Sequence, residues 1–238
     1  MIIRERITPE IQNAICNCYL DLLTSINKST FRELERYILR FYLNGNIENA
    51  PELNVFDDIS FSETNYKHLV ILPLLKNKFS DWWIKLDIIE ATISFLIKEK
   101  TKANSKNYVD ELNNEFARLN FGYRIVDGLV TEITSELEIK TIKKALDENK
   151  DNVSMHLNNA LKLYSQRPNP DYRNSIKESI SAVEALNREI TGEKTLNLKK
   201  MEDKGLKIPS VLGKAINCLY GYSNDETTGI RHCLMDES

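Results

Sequence analysis

Apolar residues return every three or four positions through most of this chain, and that spacing commits it to helices. Thr8-Pro9-Glu10 offers a hydroxyl to cap a free amide and a proline where its missing N–H does no harm, so a helix is predicted from there to about Ile26. Thr30 and Glu33 have capping-box spacing, and Phe31, Leu34, Ile38 and Phe41/Tyr42 then mark a second amphipathic helix that Asn44-Gly45-Asn46 stops. Ile47 to Ser62, with Pro51 and little periodicity, reads as a long loop. Two more helices are predicted over Tyr66 to Phe79 and Asp81 to Lys100, the latter with Trp82, Leu86, Ile89, Ile93 and Leu96/Ile97 on one face; Tyr108, Leu112, Phe116 and Leu119 continue the period. At Gly122 the period changes. Tyr123 to Val126 and Leu129 to Ile133 flank Asp127-Gly128, the strongest short signal for a β-hairpin. The fold class is therefore mostly α, with one hairpin inside a helical N-terminal domain.

Ser135 and Glu138 form a second capping box, ahead of Ile139, Ile142 and Leu146. The charged run Asp147 to Asn152 predicts a boundary between a domain over residues 1–150 and a helical module over 151–238. In that module helices are predicted over Val153 to Ser165 and Asp171 to Ile190, separated by the break Arg167-Pro168-Asn169-Pro170 and closed by Thr191-Gly192. Shorter helices follow over Leu196 to Asp203 and Pro209 to Tyr220. Thr228 to Leu234 reads as the start of a last helix that Ser238 leaves incomplete.

Composition narrows the function classes. With 42% apolar and 28% charged residues the chain should fold, and a net charge of −3 gives no global attraction to nucleic acid, so any such contact must come from a local basic patch. The charged start Met1 to Arg6 and the lack of a long apolar run predict a cytoplasmic protein with no membrane partner. Cys16, Cys18, Cys218 and Cys233 lack CxxC spacing and are expected reduced and structural. His68 and His156 lack ligand neighbours at helical spacing, Asp57-Asp58 and Glu63 read as a solvated acidic loop, and Trp82-Trp83 read as core. Neither a phosphate-cradling glycine loop nor GxSxG nor HExxH is present, so no metal and no cofactor are predicted.

Two clusters can carry chemistry. The helix from Asp171 sets Ile176, Ile180, Val183 and Ile190 on one stripe with Asn187 at its centre, and Arg173, Lys177 and Glu184 along one margin. A plain reading makes Asn187 a bond to neighbouring backbone and the charges a solvated rim. The sharper one joins them to Arg231 and His232, since a guanidinium grips a phosphate as a planar fork and an imidazole shuttles protons near neutral pH. Such groups could cleave RNA without a metal, a base taking the ribose 2′-hydroxyl proton while the guanidinium stabilises charge at phosphorus.

Phe121-Gly122-Tyr123-Arg124-Ile125-Val126-Asp127-Gly128, followed by Ile133-Thr134-Ser135 and Glu138-Ile139, resembles the hairpin segment of abortive-infection AbiJ-type proteins. The string from Asn169 to Leu186 resembles the first major helix of their HEPN-like C-terminal module, and the likeness continues through Leu219-Tyr220-Gly221-Tyr222 and Gly229-Ile230-Arg231-His232. The resemblance implies an antiviral or toxin-type, metal-independent RNase acting at a site where two subunits meet. Arg231, His232 and Glu184 would then be catalytic, and Arg173, Lys177 and Asn187 would bind substrate. The implied partners are RNA, a second copy of the chain, and an antitoxin or other defence-system protein. In the HEPN motif the histidine follows the arginine after four to six intervening positions, and the places where it would fall here hold Asp236, Glu237 and Ser238. That departure keeps an alternative open, a non-catalytic module that binds RNA or protein.

Overall fold

A left-handed turn fixes the hairpin on which the N-terminal half is organised. The computed structural model describes residues 2–42, 71–99, 101–148 and 152–224. In it β1 (Arg124–Val126) pairs antiparallel with β2 (Leu129–Thr131), Val126 standing opposite Leu129. Asp127 and Gly128 both have positive φ, 49° and 82°, as a type I′ turn requires. The chain divides into two compact units, Met1–Thr134 and Ser135–Ser238.

In the first unit, α1 (Pro9–Ser25) is capped as its sequence predicts, the Thr8 hydroxyl accepting the Ile11 N–H. α2 (Lys28–Tyr42) begins earlier than Thr30. The Asn27 side chain accepts the Thr30 N–H at 2.9 Å, so asparagine is the cap and Thr30 lies inside the first turn. α3 (Ile71–Lys76) ends at Asn77, whose side chain accepts the Phe79 N–H. α4 (Trp82–Lys98) and α5 (Lys102–Arg118) complete the unit. α1 packs on α3 and α5, and α4 packs on α2, α5 and β2. Their shared core includes Ile15, Tyr19, Leu34, Leu86, Ile89, Leu112 and Phe116. Trp82 and Trp83 are half-buried, Trp82 lying 5.6 Å from the Tyr123 ring, a packing role as expected.

A carboxylate is sunk in this core. Glu35 is fully buried and accepts the Tyr19 hydroxyl at 2.9 Å with one oxygen and the Ile71 N–H at 3.2 Å with the other, joining three helices. Burial, with the carboxylate beside it, pushes the Tyr19 phenol up, so it stays the donor. The chain start is tied in separately. Ile3 accepts the Gly122 N–H at 2.7 Å and donates to Asn120 O at 2.9 Å. A side chain at Gly122 would meet Arg4 Cγ at 2.6 Å and Ile3 O at 3.0 Å, which is why the residue opening the hairpin segment is glycine.

The second unit holds α6 (Glu136–Glu148), α7 (Asn152–Ser165), α8 (Tyr172–Thr191), α9 (Leu198–Asp203) and α10 (Ser210–Asn224). Ser135 caps α6 through the Glu138 N–H. α6 packs on α7, with the Ser154 hydroxyl donating to Leu146 O, so the division between units falls one helix before the charged run at Asp147 to Asn152. Asp171 caps α8 and Gly192, at φ 76°, ends it. α10 leaves Val211, Leu212, Leu219 and Tyr222 exposed. Among the described residues no helix is long and apolar enough to cross a membrane.

Gly122→Ala should lower the unfolding free energy by about 1–3 kcal/mol, because the new methyl forces the Ile3–Arg4 backbone away. Urea unfolding of the two proteins measures it; an unchanged midpoint would mean that this contact is loose.

Candidate functional site

α8 carries the residues singled out in the sequence, and its neighbours decide what each can do. Towards α7 it presents small side chains. Ser175, Ala182 and Ala185 are buried there, the alanines packing with Val153 and flanked by Leu157 and Leu186. Small residues let the two backbones come close, and the polar groups exploit it: the Ser175 hydroxyl donates to Ala160 O at 2.8 Å and the Asp171 N–H to Leu163 O at 3.1 Å.

The same seam holds a pair that the sequence did not reveal. His156 Nδ1 lies 2.8 Å from Glu178 Oε2, and Asn159 donates to that oxygen at 3.5 Å. Both side chains are about a quarter exposed, 27% and 24%. No ligand spacing on either helix points to this pair. The signal available was that the two residues stand at equal sequence distances from Arg167, as partners in an antiparallel helical hairpin do.

Glu184 stands elsewhere. Six residues after Glu178, it is turned about 120° around the helix from the α7 seam. Arg173, Lys177 and Glu184 recur at intervals of four and seven, so their Cα atoms fall within about 40° of one another on one line of α8. All three are half-buried. The helix thus divides these charges, Glu178 against His156 and Arg173, Lys177 and Glu184 on a distinct margin.

Asn187, expected among the substrate ligands, is fully buried and has its amide committed. Its nitrogen donates to Glu193 O at 3.1 Å and Thr195 O at 2.9 Å, and its oxygen accepts the Asn197 N–H at 3.1 Å. It therefore holds the connection from α8 to α9, where Asn197 in turn caps α9 through the Lys200 N–H. This is the plain backbone-bonding role, and it uses three of the four hydrogen bonds that the side chain can make. Beside it the Lys200 ammonium and the Asn197 amide hold the Glu193 carboxyl below the usual carboxylate range. The apolar stripe also differs from expectation: Ile180 is buried, but Ile176 is 43% exposed, because the α7 face is built from serine and alanine instead.

Arg231, His232 and Cys233 lie outside the described residues, as do Asp57, Asp58, Glu63, His68, the loop Ile47 to Ser62 and the helix start at Thr228. Among the described residues no group of three or more His, Cys, Asp or Glu side chains is placed to hold a metal ion. The buried thiols are poor nucleophiles. Burial pushes Cys16 up and Cys18 up to about 12, leaving Cys218 as the exposed thiol among the described residues.

Asn187→Ala should cost roughly 2–3 kcal/mol of stability by stranding three backbone groups in the α8–α9 connection. Denaturant unfolding checks it, and a loss under a few tenths of a kcal/mol would show that water replaces the amide.

A family model described as AbiJ N-terminal domain 4 matches residues 1–148, which reach from the chain start to the end of α6. No curated protein and no solved structure matches the chain.

Proposed function

The chain belongs to the AbiJ N-terminal domain 4 family, whose abortive-infection character gives it a role in defence, and on that footing we propose that the C-terminal half is a HEPN-like, metal-independent endoribonuclease. One observation carries the reading: Arg173, Lys177 and Glu184 share a margin of α8 turned away from the α7 seam. Two cations and a carboxylate on one line suit a phosphodiester, the cations taking the phosphate oxygens and the carboxylate orienting a donor.

Arg231 and His232 complete the chemistry in this reading. The His232 imidazole takes the ribose 2′-hydroxyl proton as that oxygen attacks phosphorus. The 5′-oxygen leaves with a proton from a general acid, and a 2′,3′-cyclic phosphate results. Arg231 and Arg173 offset the charge that builds on the phosphoryl oxygens. A second copy of the chain supplies the other half of the site, and the apolar side chains exposed along α10 support self-association. RNA is the substrate class, and an antitoxin or other defence protein is the expected regulator.

The adjacency of Arg231 and His232 favours a second reading, in which the same residues bind RNA or a partner without cleaving it. The two separate in one experiment. Full-length protein is incubated with end-labelled RNA in excess chelator. Cleavage that falls about a hundredfold or more in Arg231→Ala and His232→Ala, and about tenfold in Lys177→Ala, supports the nuclease. Tight binding without turnover, weakened by the same substitutions, supports the binding module. Cleavage that survives Arg231→Ala and His232→Ala removes these residues from the mechanism.

A further inference from the structure

We propose that the unit Met1–Thr134 carries a docking groove for a basic segment of a partner protein, one presenting an arginine or lysine beside aliphatic residues. The groove encloses about 410 Å³ between α2, α4 and the hairpin turn. Its volume lies in the range of sites that take one or two side chains. Ala91, Ile93, Ile97 and Leu129 give it an apolar lining, and Ile97 is half exposed at 50%. Tyr37 also lines it, its ring 5.5 Å from Phe95.

Charge decides the occupant. Asp87, Glu90 and Asp127 line the groove, and no Lys or Arg is among its described lining residues. Asp87 and Glu90 stand three residues apart on α4, one face of that helix, and Asp127 faces them from the turn. The hairpin fixes part of this arrangement. The Val130 N–H donates to Glu90 Oε1 at 2.7 Å, and Gly128 lies so close to α4 that an added Cβ would touch Ile93 Cγ2 at 3.6 Å. Tyr37, Asp87 and Glu90 also interact within the chain, and docking uses their charge and position alongside those contacts.

Phosphate is repelled by such a field, so an RNA strand is the wrong ligand for this unit. A bare metal ion is equally poorly served, because among the described residues no three carboxylates are placed to hold one. A long basic side chain matches both parts, its methylenes lying along the apolar lining and its head among the carboxylates. The partner is therefore a protein segment, and its docking is separate from any chemistry in the C-terminal half.

The test uses ¹⁵N-labelled full-length protein and three probes: acetyl-Leu-Arg-Leu-Arg-amide, acetyl-Leu-Glu-Leu-Glu-amide and a short single-stranded RNA. The expected result is saturable shifts of the Ile97, Gly128 and Leu129 amides with the basic peptide only, weaker at high salt. Asp127→Asn should weaken that binding about tenfold, because asparagine keeps the left-handed turn and removes the charge. Ser94→Lys, at an exposed position lining the groove, should abolish it. The proposal is overturned if the acidic peptide or the RNA shifts the same amides as strongly, if the basic peptide leaves them unmoved at about ten millimolar, an affinity too weak for recognition, or if neither substitution changes the affinity. RNA cleavage plays no part in any of these readouts.

Discussion

The close seam between α7 and α8 governs what the C-terminal half can present. Ser175, Ala182 and Ala185 make that face of α8 narrow enough for backbone carbonyls to accept side-chain bonds across it, as Ala160 does from Ser175. Large aliphatic residues there would hold the helices further apart and break those bonds. The seam also consumes Glu178, which His156 and Asn159 engage. Arg173, Lys177 and Glu184 lie together on another line of the helix. Asn187 then fixes the far end of α8 by holding the 193–197 connection.

The N-terminal half follows a comparable logic with different chemistry. Its core is aliphatic and aromatic, and Glu35 is the group around which three helices are tied, through Tyr19 and the backbone of Ile71. A carboxylate buried in that way is costly unless both oxygens are used, and here both are. The hairpin supplies the second constraint. It closes over α4 through Glu90 and receives the chain start at Gly122, so the turn at Asp127-Gly128 is held in a defined place. The two halves thus expose surfaces of opposite character, a carboxylate-lined groove in one and two cations beside a carboxylate in the other.

What was legible in the sequence was what depends on near neighbours. The Asp127-Gly128 turn, the Thr8 cap and the Gly192 stop each rest on a few adjacent residues, and each stands as predicted. The cap of α2 shows the limit, since Asn27 and Thr30 are both competent and the earlier one took the position. Pairings across helices were hidden. His156 and Glu178 are 22 residues apart and Tyr19 and Glu35 are 16 apart, and nothing local marks them as partners. The α7 face of α8 was missed for another reason: serine and alanine add little to a hydrophobic pattern, although their small size is what allows the close approach. Asn187 was recognisable as a residue in need of a partner. The plain reading, a bond to neighbouring backbone, is the one that the chain from Glu193 to Asn197 fulfils.

In the proposed nuclease, RNA meets α8 on the Arg173–Lys177–Glu184 line. Photo-crosslinking of full-length protein to 4-thiouridine RNA, with the adducts mapped by mass spectrometry, addresses it without reference to turnover. Adducts concentrated on the α8 peptides that contain Arg173 and Lys177 are the result predicted. Adducts confined to the N-terminal unit, with α8 unmodified at saturating RNA, would contradict it.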